Sequence, residues 1–87
     1  NVSTETFQLY PNPTNDLVMM KFFKDLNFNY GILRIFDLSG KIVFEDLRKN
    51  INTPISLSKF SPGFYFIEFS VKEIEYRGIA KVAKMNH

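Results

Sequence analysis

The sequence predicts an all-β fold, an antiparallel sandwich of about seven strands, on three observations. Apolar residues alternate along most of the chain instead of recurring at helical spacing. Turn residues (Gly, Pro, Asn, Asp and Ser) interrupt these runs at short intervals. No window of helix length carries an apolar stripe. The strand candidates are 6–10, 17–23, 31–37, 42–47, 54–58, 64–71 and 75–83.

The first candidate runs into "LYPNPTND", residues 9–16. Pro11 and Pro13 fix φ and lack an N–H, so neither can sit inside a paired strand. Asn12 precedes a proline and is pushed to extended geometry. Thr14, Asn15 and Asp16 offer side-chain acceptors for local turns. The stretch therefore ends one strand and re-aims the chain. In the second candidate Val18, Met20 and Phe22 alternate with Leu17, Met19 and Lys21. Asn27, Asn29 and Gly31 then punctuate the chain between the second and third candidates.

In the third candidate Leu33 and Ile35 alternate with Ile32, Arg34 and Phe36. "DLSGK", Asp37 to Lys41, then reads as a hairpin loop into the fourth: Asp37 can accept from the turn backbone and Gly40 can take a positive φ. Ile55 and Leu57 flank Ser56 in the fifth. "SPG", Ser61 to Gly63, precedes the sixth, where Tyr65, Ile67, Phe69 and Val71 alternate with Phe66, Glu68, Ser70 and Lys72. Phe64 and Phe66 share the face opposite Tyr65. Two apolar faces on one strand mean either a covered strand or an exposed aromatic strip that binds carbohydrate or protein. The absence of Trp counts against a sugar platform. The seventh candidate carries Arg77 and Lys81, with Lys84 just beyond. Such charges more often solvate an edge strand against unwanted pairing than serve as contacts for a receptor.

With 87 residues, one domain is expected, near the lower size limit for independent folding. The chain has no Cys, so packing must hold it together without disulfides or thiolate metal sites. The supply is good, at 45% apolar residues with 10 Phe and 4 Tyr. A balance of 11 Lys and Arg against 9 Asp and Glu gives none of the concentrated positive charge that nucleic-acid binding needs. The longest apolar runs are four residues, Leu17 to Met20 and Phe64 to Ile67, and neither can span a bilayer. Asn1 to Tyr10 lacks the basic start and apolar stretch of a signal peptide, and a first residue other than Met points to a piece of a longer protein.

Candidate chemistry is sparse. His87, the only histidine, is the last residue, where a catalytic imidazole is hard to hold. The carboxylates Asp16, Asp25, Asp37, Glu45, Asp46, Glu68, Glu73 and Glu75 form no EF-hand spacing. Asp16 and Asp37 sit where turns need acceptors, and a calcium ion clipped between loops stays open as an alternative. Gly40-Lys41 echoes the end of a P-loop, but Ile35 stands where that motif needs Gly. Asn1-Val2-Ser3 is a glycosylation triplet of the kind that arises by chance. No catalytic, cofactor or metal residue is assigned.

The motifs together resemble a known family, the C-terminal sorting domain of type IX secretion cargo proteins of Bacteroidetes. "LYPNPTND" with "LVMMKF" after it is similar to its opening. "LRIFDLSGKIV", Leu33 to Val43, resembles its strand–D-x-x-G-K–strand hairpin. "ISLSKFSPGFYFIEF", Ile55 to Phe69, is similar to its L-S-x-L-x-x-G-x-Y block, with Phe60 in place of the usual Leu. "KVAK", Lys81 to Lys84, resembles its terminal K-hydrophobic-x-K, although Met85, Asn86 and His87 extend past it. The order and gaps fit across nearly the whole chain.

This resemblance implies a single domain over 1–87, an Ig-like sandwich at the C-terminus of a longer secreted or surface protein. It implies a substrate of transport and not an enzyme, with an N-terminal cargo domain. The implied route is periplasmic transit, reading by the outer-membrane translocon, and removal by a sortase-like peptidase, leaving the cargo at the cell surface or secreted. Lys81, Val82, Ala83 and Lys84 are implied as the recognised residues. Pro11, Asn12, Pro13, Asp37, Gly40, Lys41, Gly63 and Tyr65 are implied as the structural motif. Neither nucleic acid nor stable membrane insertion is expected. The rivals are an Ig-like adhesive module that holds sugar or protein through Phe64 and Phe66, and a structural spacer.

Overall fold

The computed structural model describes residues 7–23 and 26–85. The chain folds as two antiparallel sheets packed face to face. β1 (Gln8–Tyr10), β2 (Leu17–Lys21) and β5 (Ile55–Ser56) form one, in the order β1-β2-β5. β3 (Gly31–Phe36), β4 (Ile42–Arg48), β6 (Gly63–Val71) and β7 (Tyr76–Lys84) form the other, in the order β4-β3-β6-β7. The predicted sandwich is thus the observed one.

The element ends differ from the alternation for identifiable reasons. Gln8↔Lys21 is the outermost rung between β1 and β2, so the second strand stops before Phe22, whose ring turns into the core. Of the expected first strand, Thr6 lies outside the described residues. The fifth strand shrinks to Ile55–Ser56 because Leu57 donates to the Asp16 carbonyl and Phe60 to the Leu57 carbonyl, which curls the chain into a turn. Between β6 and β7 lies one 3₁₀ turn, Lys72–Ile74, closed by Glu75 at φ 53°.

The core follows the period of two. Leu9, Val18, Met20, Ile55 and Leu57 come from the smaller sheet and its loops, and Leu33, Ile35, Ile67, Phe69, Val71 and Val82 from the larger. Burial of each Val, Leu, Ile or Phe contributes about 1.5–3 kcal/mol. One end of the sandwich is closed by aromatic edges: Phe22 lies 5.2 Å from Phe7 and 5.7 Å from both Phe69 and Tyr76. Gly31 belongs to this packing. A Cβ there would sit 2.3 Å from Cζ of Phe69, so the ring fills the space that only glycine leaves. At the other end Phe60 stacks on Tyr65, 5.3 Å between centroids. Phe7, Phe22, Phe28, Phe60, Tyr65, Phe69 and Tyr76 thus put half of the aromatic supply in or against the core.

Candidate recognition surface

The 11–14 corner is fastened to the far end of the chain. The peptide bonds preceding Pro11 and Pro13 are both cis. Asn12, between them, uses its whole carboxamide on β7: Nδ2 donates to the Lys81 carbonyl at 2.9 Å, and Oδ1 accepts from the Ala83 N–H at 3.0 Å. The ladder continues through backbone. Thr14 N–H donates to the Ala83 carbonyl at 2.9 Å, and Met85 N–H donates to the Thr14 carbonyl at 2.7 Å, a short parallel bridge. The buried Thr14 hydroxyl accepts from the Asp16 amide and donates to the Leu17 carbonyl, as expected of a local turn. Asp16 departs from that expectation. Its carboxylate takes the Ser56 hydroxyl, tying β2 to β5.

The "DLSGK" loop forms as its chemistry predicts. Asp37 Oδ1 accepts from the Ser39 hydroxyl and from the Ser39 and Lys41 amides, and Gly40 sits at φ 89°. The Ser39 hydroxyl, then the Lys41 amide, hold the Asp37 carboxyl below its usual pKa. Lys41 enters this arrangement chiefly by its backbone amide, and its side-chain charge adds a smaller pull on the Asp37 carboxyl. Gly63, at φ 151°, opens β6, and the Tyr65 hydroxyl donates to the Ser61 carbonyl at 2.7 Å. These motif residues serve the frame.

The four residues Lys81 to Lys84 divide. Val82 is fully buried in the core and Lys84 is 7% exposed, whereas Lys81 is exposed and Ala83 is half-buried on the outer face. The expected joint display of two lysines and a small apolar pair is thus met by Lys81, because even-numbered residues of β7 face inward. β7 is an edge strand, as its lysines predicted, but its last third is closed by Asn12 and Thr14.

The outer face of the larger sheet resolves the aromatic ambiguity in favour of a strip. Phe64 is 48% exposed and Phe66 is half-buried, and among the described residues no layer lies above either. Phe66 pairs with Phe36 on one side and Lys81 on the other. The Lys81 ammonium lies 4.5 Å above the Phe64 ring centroid, a cation–π contact. One rung away runs a charge ladder that sequence reasoning missed. Glu68, 4% exposed, accepts from Arg34 at 3.2 Å and from Arg77 at 2.7 Å, while Arg34 also pairs with Glu45. Glu45, and after it Glu68, raises the Arg34 pKa. Alternation places these charges outward. Only the register sets Glu45, Arg34 and Glu68 in one row, with Arg77 reaching Glu68 from the next rung.

Among the described residues no group of three or more His, Cys, Asp or Glu side chains comes together to hold a metal. His87 lies outside those residues. Among the described residues no helix is long and apolar enough to cross a membrane.

Fold and surface together define an all-β sandwich domain whose exposed chemistry is hydrogen bonding and charge along a sheet edge. The chain belongs to the secretion system C-terminal sorting domain family, that of type IX secretion, whose model matches residues 8–82. The match runs from the first residue of β1 to the buried valine of β7; Ala83 and Lys84 lie just past it. This is not an enzyme family, and membership implies a secreted or cell-surface protein that meets the type IX machinery. No curated protein and no solved structure matches the chain.

Proposed function

We propose that this domain is the folded address of a type IX cargo protein, read by the outer-membrane translocon after periplasmic transit and then removed by a sortase-like peptidase. The observation that carries the proposal is the family match over residues 8–82. The geometry supports a folded address over a linear tail. Val82 is core and Lys84 is largely covered, so folding narrows the segment resembling the terminal signal to the exposed Lys81 and the half-buried Ala83, held on a defined strand. Asn12 and Thr14 hold that segment in place, which gives the front corner a role in its presentation. Within Lys81 to Lys84, Lys81 is the contact residue and Val82 its anchor. The cargo lies N-terminal to the corner and ends at the surface or in the medium.

The test fuses residues 1–87 to a reporter in a bacterium that secretes through type IX, with folding of each variant checked by thermal unfolding. Export of the fusion and loss of export in Lys81→Ala is the expected result. Retention of the wild-type fusion overturns the function. Normal export of folded Lys81→Ala removes Lys81 from recognition.

A further inference from the structure

The clamp at the end of β7 also shows which of its backbone groups face away from the sheet. Asn12 and Thr14 engage the Lys81 carbonyl, both groups of Ala83 and the Met85 amide, so the odd-numbered residues of β7 turn their N–H and C=O groups outward. By that alternation the groups of Arg77 and Ile79 and the Lys81 N–H also face the edge. Among the described residues none of these makes a hydrogen bond. The side chains of Arg77, Ile79 and Lys81 meanwhile stand on the outer face.

We propose that the edge from Arg77 to Lys81 accepts an added strand from a partner protein, one carrying acidic, apolar and acidic side chains at three alternate positions. The proposal rests on the sorting function and names the chemistry of the machinery that reads the domain. In an antiparallel addition the partner's apolar residue lies opposite Ile79 and its two acidic residues opposite Arg77 and Lys81. The apolar position has somewhere to go. A shallow depression of about 290 Å³ opens beside Ile79, lined by Phe36, Leu38 and Phe66 and bordered by Asp37, Gly40 and Arg77. The acidic positions have something to meet. Among the described residues no carboxylate reaches Lys81, and Arg77, 57% exposed at its side chain, shares Glu68 with Arg34.

The same charges argue against a second copy of this chain. Antiparallel self-pairing centred on Ile79 would set Arg77 of each copy opposite Lys81 of the other, and directly opposed like charges destabilise a strand pair. An anionic membrane is disfavoured as well. Of Arg77 and Lys81, only Lys81 has no carboxylate partner among the described residues, and surface binding to anionic lipid takes a cluster of such cations. A run of open peptide groups at strand spacing is matched by a polypeptide.

The probe is a blocked threonine peptide of seven residues with glutamate at its second and sixth positions and leucine at its fourth, titrated into the full chain. The expected result is saturable binding that slows hydrogen exchange of the Arg77 and Ile79 amides. Binding should weaken about tenfold when the glutamates are replaced by lysines, and about tenfold in a Lys81→Glu variant of unchanged melting temperature. N-methylation of the leucine amide, which removes the donor opposite Ile79, should abolish it. Absence of binding at millimolar peptide, equal binding of the lysine or N-methylated peptide, or protection of these amides by phosphatidylglycerol vesicles but not by the peptide overturns the proposal. Reporter export is scored separately: export without peptide binding overturns this edge and leaves the sorting function standing, and retention of the wild-type fusion overturns the sorting function.

Discussion

Replacing Asn12 by alanine isolates the coupling between the two ends of the fold. The substitution removes two side-chain hydrogen bonds, at 2.9 and 3.0 Å, and leaves both Thr14 backbone bonds in place. Each such bond contributes about 0.5–1.5 kcal/mol net. These two are exposed, so water takes up the freed Lys81 carbonyl and Ala83 amide and the lower half of that range applies. The expected loss is about 1–2 kcal/mol. For a domain of this size that corresponds to a fall of roughly 5–15 °C in melting temperature, small enough against a stability of about 5–15 kcal/mol to leave the domain folded. The urea midpoint should fall with an unchanged slope, because no core surface is exposed. Amide exchange gives the site-resolved reading: Ala83 N–H loses its acceptor and should exchange faster, while the Ile79 amide, which faces the open edge, should not change. Asn12→Asp keeps the acceptor for Ala83 but turns a carboxylate oxygen toward the Lys81 carbonyl, and should be no better than alanine. Unchanged protection at Ala83 together with an unchanged melting temperature would refute the clamp.

Gly31→Ala places a methyl 2.3 Å from the Phe69 ring, which is locked among Phe22, Phe28 and the strands. Overpacking of this kind should cost about 1–3 kcal/mol in chemical unfolding, and a neutral result would mean the ring is free to move. Gly40→Ala and Gly63→Ala have open space around the new Cβ but a φ of 89° and 151° respectively. Each should cost about 1 kcal/mol through backbone strain alone, with no change in the slope of the urea transition. The Asp37 carboxyl has a folded pKa below its unfolded value, so its stabilising contribution is complete above an unfolded pKa of about 3.9 and is lost as pH falls through the lower folded value. Asp37→Asn should therefore lower the melting temperature at neutral pH and flatten the acid limb below about pH 4. An acid limb as steep as that of the wild type would place the titration elsewhere.

Features that depend on neighbours along the chain were legible in the sequence alone. Asp37 reaches amides only two and four residues away, so its turn could be read from "DLSGK". Gly40 was legible for the same reason. Alternation is a local property too, and it placed every strand and separated Tyr65, Ile67 and Phe69 from Phe64 and Phe66. The resemblance of four motifs in order carried the family, which residues 8–82 match. Alternation divides a strand into two faces without saying what covers either. That Phe64 stands open beneath Lys81, while Lys84 is buried, was decided by the smaller sheet lying over one face of the larger. The partners of Asn12 are 69 and 71 residues away, and no local preference encodes so distant a contact. Glu68 finds Arg34 and Arg77 only because β3 and β7 flank β6 in that register. Register and sheet order come from burying all the apolar faces at once, and that is a property of the whole packed chain.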